Sequence, residues 1–208
     1  MANIIIGVDE VGRGSLVGDV VVAAVAMHEN DAGSSFWQGL QDSKKLSSQQ
    51  IKDRSDQVQN NALVCEISKS GTDEIEQTNI LQATLNAMAK AIEKTIAKIE
   101  PNCESIVVYI DGNQAPVFQY SRNIKVITVI KGDGKVPAIS AASIVAKNFR
   151  DNYVIENLAP QFPVYQWHKN MGYGTEDHIA AIKKHGITKY HRKYFCKDYI
   201  DSSQLKLL

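Results

Sequence analysis

The chain has 208 residues, 44% of them hydrophobic and 22% charged, which fits one folded domain with its own core. Its 23 basic residues balance 23 acidic ones, arguing against a protein that holds a charged polymer through overall charge. Cys65, Cys103 and Cys196 are scattered and form no C-x-x-C pair, so neither a disulfide framework nor a thiolate zinc site is expected.

The chain enters directly into the apolar run Ile4-Ile5-Ile6, without a basic leader or a long hydrophobic segment, so a cytoplasmic protein with no membrane contact is expected. Residues 3–8 and 17–27 are β-rich and are predicted to be antiparallel neighbours joined by a loop containing Gly12 and Gly14. Ser47 or Ser48 is a natural cap for a short polar helix to about Asn60, and residues 62–68 supply a third strand. A long helix over 73–99 is predicted from Leu81, Leu85, Met88, Ile92, Ile96 and Ile99, which recur at three and four, with Pro101 ending it.

Runs at 105–110 and 124–130 are dense enough in β-branched residues to predict two central strands. Helices from about Ser140 and over 175–185 complete a single unit, residues 1–208: a mixed α/β sheet flanked by helices, with a helical, basic C-terminal segment from about 160. Between His168 and Lys197 seven basic residues face only Glu176 and Asp177. A solvated face is the plainer reading of such a segment. Trp167, Tyr173, Tyr190, Tyr194 and Phe195 lie within it, however, and such rings stack on sugars or bases.

Acidic residues follow several of these strands: Asp9 and Glu10, then Asp111, then Asp133. One aspartate beside a glycine is ordinarily a turn residue. Several at one sheet edge are different, because clustered carboxylates repel and need a compensating cation, and oxygen-only ligands suit magnesium or manganese. Asp9 and Glu10 are consecutive, so on a regular strand they point to opposite faces; a strand end or bulge, permitted by Gly12 and Gly14, is expected to bring them to one site. The glycines match neither a dinucleotide fingerprint nor a phosphate loop.

Eight blocks, in order, resemble the motifs of the bacterial ribonuclease HII family. They are Gly7-Val-Asp-Glu-Val-Gly-Arg-Gly14, Asp42-Ser-Lys-Lys-Leu-Ser47, Asn79-Ile-Leu-Gln-Ala-Thr-Leu-Asn-Ala-Met88, Tyr109-Ile-Asp-Gly-Asn113, Lys131-Gly-Asp133, Ser140-Ala-Ala-Ser-Ile-Val-Ala-Lys147, Gly172-Tyr-Gly-Thr175 and His191-Arg192. The resemblance implies a ribonuclease H-like fold, with Asp9, Glu10, Asp111 and Asp133 as catalytic carboxylates binding Mg2+ or Mn2+. It implies that the loop of Gly12, Arg13 and Gly14 reads a ribose 2′-hydroxyl, and that Tyr173 packs on the sugar of the following deoxynucleotide. Lys44 and Lys45 resemble a segment beside the substrate backbone, and phosphate contact is expected of them.

The implied activity is two-metal endonucleolysis of the RNA strand of RNA/DNA hybrids. Cleavage would also fall 5′ of ribonucleotides embedded in duplex DNA, leaving a 5′-phosphate; a monomer is expected. Two rival readings are a catalytically silent nucleic-acid-binding module and a nuclease acting on DNA branches or ends. Asp151 is read as structural. The sequence departs from the family pattern at Ser15 and Asp19, where proline or a small residue is common, and at Tyr194. Loss of a proline at 15 predicts a less rigid loop.

Overall fold

The structure, a computed structural model, describes residues 3–40, 46–99, 103–120 and 124–200. Strands β1 (Asn3–Val11) and β2 (Val20–His28) pair antiparallel from Ile4 opposite His28 to Val11 opposite Val21. After the short helix α1 (Ser35–Gln38) comes α2 (Ser48–Asn61). Ser47 caps α2 as expected: its hydroxyl accepts from the Gln50 N–H, while the Gln50 side chain accepts from the Ser47 N–H. Strand β3 (Val64–Ser70) then pairs antiparallel with β2.

The expected long helix is two helices, α3 (Thr72–Gln77) and α4 (Ile80–Lys98). Thr78 Oγ1 closes α3 by donating to the Glu74 carbonyl at 2.7 Å, and Asn79 Oδ1 opens α4 by accepting from the Gln82 N–H at 2.9 Å. The apolar stripe begins only at Leu81, past the break, so periodicity carried no sign of it. Pro101 lies outside the described residues.

Strands β4 (Ser105–Asp111) and β5 (Ile124–Val129) run parallel to each other, and β4 parallel to β1, giving the order β3-β2-β1-β4-β5. The expectation that residues 124–130 form a central strand is therefore corrected: β5 is an edge strand, and after Ile124 its residues are half-buried or exposed. A β-branched run reports strand propensity and says nothing of how many neighbours the strand has. Helix α5 (Pro137–Tyr153) starts before Ser140, with proline in the first turn where its missing N–H costs nothing.

The two sheet faces are covered by different helices. Ile4, Ile6 and Val8 of β1 pack with Ala87, Met88 and Ile92 of α4, while Val21, Ala23 and Val25 of β2 pack with Ala138, Ala142 and Val145 of α5. Gly7 lets α5 lie against β1 backbone to backbone, since a Cβ there would fall 2.0 Å from the Ala138 carbonyl carbon.

Beyond a π-helical turn (Val154–Leu158) come α6 (Trp167–Asn170), α7 (Glu176–His185) and α8 (Lys193–Cys196). They share a separate core with Leu16 and Val17 from the β1–β2 loop. This core absorbs most of the aromatic part of the expected surface, while Lys169, Lys183, Lys184, Lys189, Lys193 and Lys197 stay exposed. Trp167 and Arg192 are fully buried, Tyr190 and Phe195 pack against the same core, and only Tyr173 and Tyr194 of the aromatic set are exposed. Among the described residues no helix is long and apolar enough to cross a membrane.

Candidate active site

The parallel pairing of β1 with β4 brings Val8 opposite Ile110, so the residues that follow, Asp9 and Asp111, lie side by side just past the last β1–β4 pair, each still paired to its outer neighbour strand. Alternation puts both on the α5 face and Glu10 on the α4 face. Neither the strand end nor the bulge expected at Asp9 and Glu10 is found there: Asp9 stays opposite Ala23, Glu10 opposite Val22 and Val11 opposite Val21. The acidic edge is straddled from both faces, and the two neighbours reach it from opposite sides.

Asp9 is 5% exposed, and burial pushes its carboxyl well above the usual range despite the Ser143 hydroxyl of α5 beside it, which favours the carboxylate form; Glu10 and Asp111 add like-charge repulsion. Burial also raises Glu10, opposed by Arg13, whose guanidinium meets Glu10 Oε1 at 3.2 Å. Glu10 Oε2 is buried with no hydrogen-bond partner. Asp111 Oδ1 accepts from the Gly132 N–H at 2.6 Å, which places Asp133 on the same edge, in the 3-10 turn after β5. That turn is fixed by Ser140 Oγ, which donates to the Asp133 carbonyl at 2.6 Å.

These groups form an all-oxygen donor set, and hard divalent cations are held by such sets. Among the described residues no three carboxylate, histidine or cysteine side chains converge at ligand distance, so the four stand along an edge instead of forming a closed cage. An orphaned, desolvated Glu10 oxygen beside a raised Asp9 is the condition a cation relieves, and the residues fit one on that ground.

A cleft of about 130 Å3 opens on the α4 side, lined by Glu10, Arg13, Leu81, Leu85, Asp111 and Gln114 among others. Its wall residues Leu81 and Asn113 lie within motif blocks quoted above, Leu81 read there only as part of a helix's apolar stripe and Asn113 given no role.

The loop after β1 is built from outside itself. Gly12 has φ +88°, and a Cβ there would meet Arg150 Nε at 2.2 Å, so both its conformation and its crowding demand glycine. Gly14 is neither left-handed nor crowded; its missing side chain leaves the surface open. Ser15 is fully buried, its hydroxyl donates to the Val17 carbonyl at 3.0 Å, and its backbone bridges Tyr173. A serine at 15 thus brings its own constraint, a contact the sequence reading did not anticipate. Asp19 is paired with Lys69 at 2.8 Å. Asp151 pairs with Lys147 of its own helix, consistent with a structural role. Lys44 and Lys45 lie outside the described residues.

Tyr173 therefore sits beside the Gly12–Gly14 loop, 38% exposed. Its carbonyl is held by His178 Nδ1 at 2.9 Å. His178 Nε2 accepts from Trp167 Nε1 at 3.0 Å, which makes Nδ1 the protonated nitrogen. His191 Nδ1 accepts from the Thr188 N–H at 2.9 Å, leaving its Nε2 to face His178 at 3.3 Å. Burial holds both imidazoles neutral, His191 down to about 3.

A mixed five-stranded sheet with helices on both faces and carboxylates at the common end of β1 and β4 defines an enzyme of the ribonuclease H fold class. The crystal structure of ribonuclease H2 from Pyrococcus horikoshii OT3 superposes with a TM-score of 0.77 at 21% identity, covering 94% of this chain and 96% of that one. The Bst ribonuclease HIII structure, solved with Mn2+, gives 0.63 at 19% identity over 89% and 63%. The sequence profile described as Ribonuclease HII matches residues 6–198, and Ribonuclease HII of Pelagibacter ubique is 46% identical over 193 residues, 93% of this chain and 96% of its relative. The chain belongs to the ribonuclease HII family and is an endoribonuclease of ribonuclease H type 2, acting on RNA/DNA hybrids.

Proposed function

We propose that the enzyme also cuts duplex DNA on the 5′ side of an embedded ribonucleotide, by two-metal hydrolysis that leaves a 5′-phosphate. The observation that carries this reading is the backbone bridge between Ser15 and Tyr173. It sets a loop with exposed backbone at Gly14 next to an exposed aromatic ring, both at the end of the strand that bears Asp9 and Glu10. The exposed Gly14 backbone, between an Arg13 carbonyl held by Arg192 and a Ser15 N–H bonded to the Gly12 carbonyl, can reach a 2′-hydroxyl, while the Tyr173 ring suits a sugar that lacks one. A ribose followed by a deoxyribose satisfies both.

Asp9, Glu10, Asp111 and Asp133 would hold Mg2+ or Mn2+, in keeping with the Mn2+ bound by the HIII neighbour. The bound ions would supply Lewis-acid stabilisation of the phosphoryl oxygens and an activated water. The protein's own share is positional. Ser143 and the Glu10 N–H orient Asp9, Gly132 orients Asp111, and the loop and Tyr173 fix which phosphodiester meets the carboxylates. Lys44 and Lys45 are proposed to contact the substrate backbone on sequence grounds alone.

Duplexes carrying one ribonucleotide, a run of ribonucleotides or none, incubated with Mg2+ or Mn2+, test the proposal. Cleavage of the first two with a cut 5′ of the single ribonucleotide is expected. Cleavage of the all-DNA duplex, or none of the single-ribonucleotide duplex, overturns it.

A further inference from the structure

Arg150 of α5 is 1% exposed, and its ion pair among the described residues is a long one, to Asp151 Oδ1 at 3.9 Å. A buried guanidinium is costly unless its donors are used. Here the two terminal nitrogens join parts of the chain that are distant in sequence, while Nε is buried without a hydrogen-bond partner among the described residues. Nη2 donates to the Val17 carbonyl at 3.2 Å and Nη1 to the Met171 carbonyl at 3.1 Å, while the guanidinium lies 5.3 Å from the Tyr173 ring centroid. Its Nε occupies the space that a side chain at position 12 would take. One group therefore touches Gly12, Val17 further along the same β1–β2 loop, the residue before Gly172 and the exposed tyrosine.

The same helix touches the carboxylates. The Ser143 hydroxyl, seven residues earlier, lies beside Asp9 and favours its carboxylate form, and seven residues of helix span about 10 Å. A rigid rod thus carries one contact to the acidic edge and another to the pair of substrate-reading elements. Lysine cannot reproduce the second contact, since a single ammonium lacks the planar fork that bonds two carbonyls while stacking on a ring.

We propose that Arg150 is the positioning residue for ribonucleotide selectivity: it fixes the Gly12–Gly14 loop and Tyr173 at one spacing from each other and from the carboxylates. This rests on the reading of that loop and Tyr173 given above. Selectivity for the junction depends on Arg150, whereas hydrolysis of a continuous RNA strand, in which every sugar carries a 2′-hydroxyl, depends on it much less.

The test uses the full chain with Arg150→Lys. The ratio of kcat/KM on the single-ribonucleotide duplex to that on a hybrid with an RNA run is expected to fall about tenfold, with hybrid cleavage changing less than about threefold. In a Tyr173→Ala background the substitution lowers the ratio no further. Equal loss on both substrates, or full additivity with Tyr173→Ala, overturns the proposal. Hydrogen exchange without nucleic acid separates this result from the activity reading. Residues 12–18 and 171–175 are expected to lose protection together while β1 and β4 keep theirs, and unchanged protection in either segment counts against coupling even if no duplex is cut. Should Arg150→Lys fail to fold, Tyr173→Leu removes the ring and keeps Arg150. Faster exchange at 12–18 then supports the coupling, and unchanged exchange overturns it.

Discussion

Val8 of β1 lies opposite Ile110 of β4 in the parallel register, and the next residues, Asp9 and Asp111, share one face of the sheet. Their proximity is set by strand register, which side-chain substitution leaves alone. Asp9→Asn should therefore keep the fold and, by removing a buried charge, leave the melting temperature unchanged or higher. Loss of several kcal/mol of transition-state stabilisation corresponds to a fall of about a thousandfold or more in hybrid cleavage. Calorimetry beside a cleavage assay with Mg2+ or Mn2+ checks both; an active variant would remove Asp9 from the mechanism.

Gly12 and Gly14 should separate stability from activity. Gly12→Ala forces a left-handed backbone on alanine and a collision with Arg150, so it should destabilise by about 1–3 kcal/mol in urea unfolding. Gly14→Ala meets nothing and should stay within about 0.5 kcal/mol of the parent while slowing cleavage at a single ribonucleotide. Undiminished cleavage by Gly14→Ala would show that the open surface is not used.

Tyr173→Ala removes an exposed ring whose backbone is held independently by Ser15 and His178. Loss of sugar packing worth about 1–3 kcal/mol should lower junction cleavage about 10- to 100-fold. Mn2+ affinity, measured by calorimetric titration, should not move. A parallel fall in metal affinity would tie the tyrosine to the carboxylates instead.

The buried imidazoles predict acid sensitivity. His191 titrates near 3 in the folded protein and near 6.5 unfolded, so its contribution to stability is complete above pH 6.5. It declines as pH falls, because only the unfolded state takes up the proton, and is gone once pH passes the folded value. Between pH 6.5 and 5 the loss from this residue is about 2 kcal/mol. His191→Gln should flatten that part of the urea-unfolding profile. An unchanged slope would place the sensitivity elsewhere.

The sheet and most helices were legible because β-branched runs, Ser47 and the stripe from Leu81 are local signals. The break at Thr78 and Asn79 was hidden, since it falls before that stripe begins. The four carboxylates were legible because each follows an apolar strand; how they approach one another was not, because the expected bulge was inferred from side-chain alternation and the strand runs straight past it. Arg150 and His178 were given no place, and His191 and Arg192 only a place in a motif block, for a common reason. Charged and polar residues are expected at the surface, and only the three-dimensional pairing, of the arginines with distant backbone carbonyls and of the histidines with Trp167 and each other, shows why these are inside.

The Leu16 N–H bonds the Gly172 carbonyl, and Gly18 bonds Tyr190. The amino-terminal loop is thus completed by residues that leave the ribosome some 150 residues later. A partly synthesised chain would already carry every carboxylate without the partners that shape the selective loop. Discrimination between ribose and deoxyribose would then be the last property acquired in biogenesis, and the first forfeited when the carboxyl-terminal segment loosens.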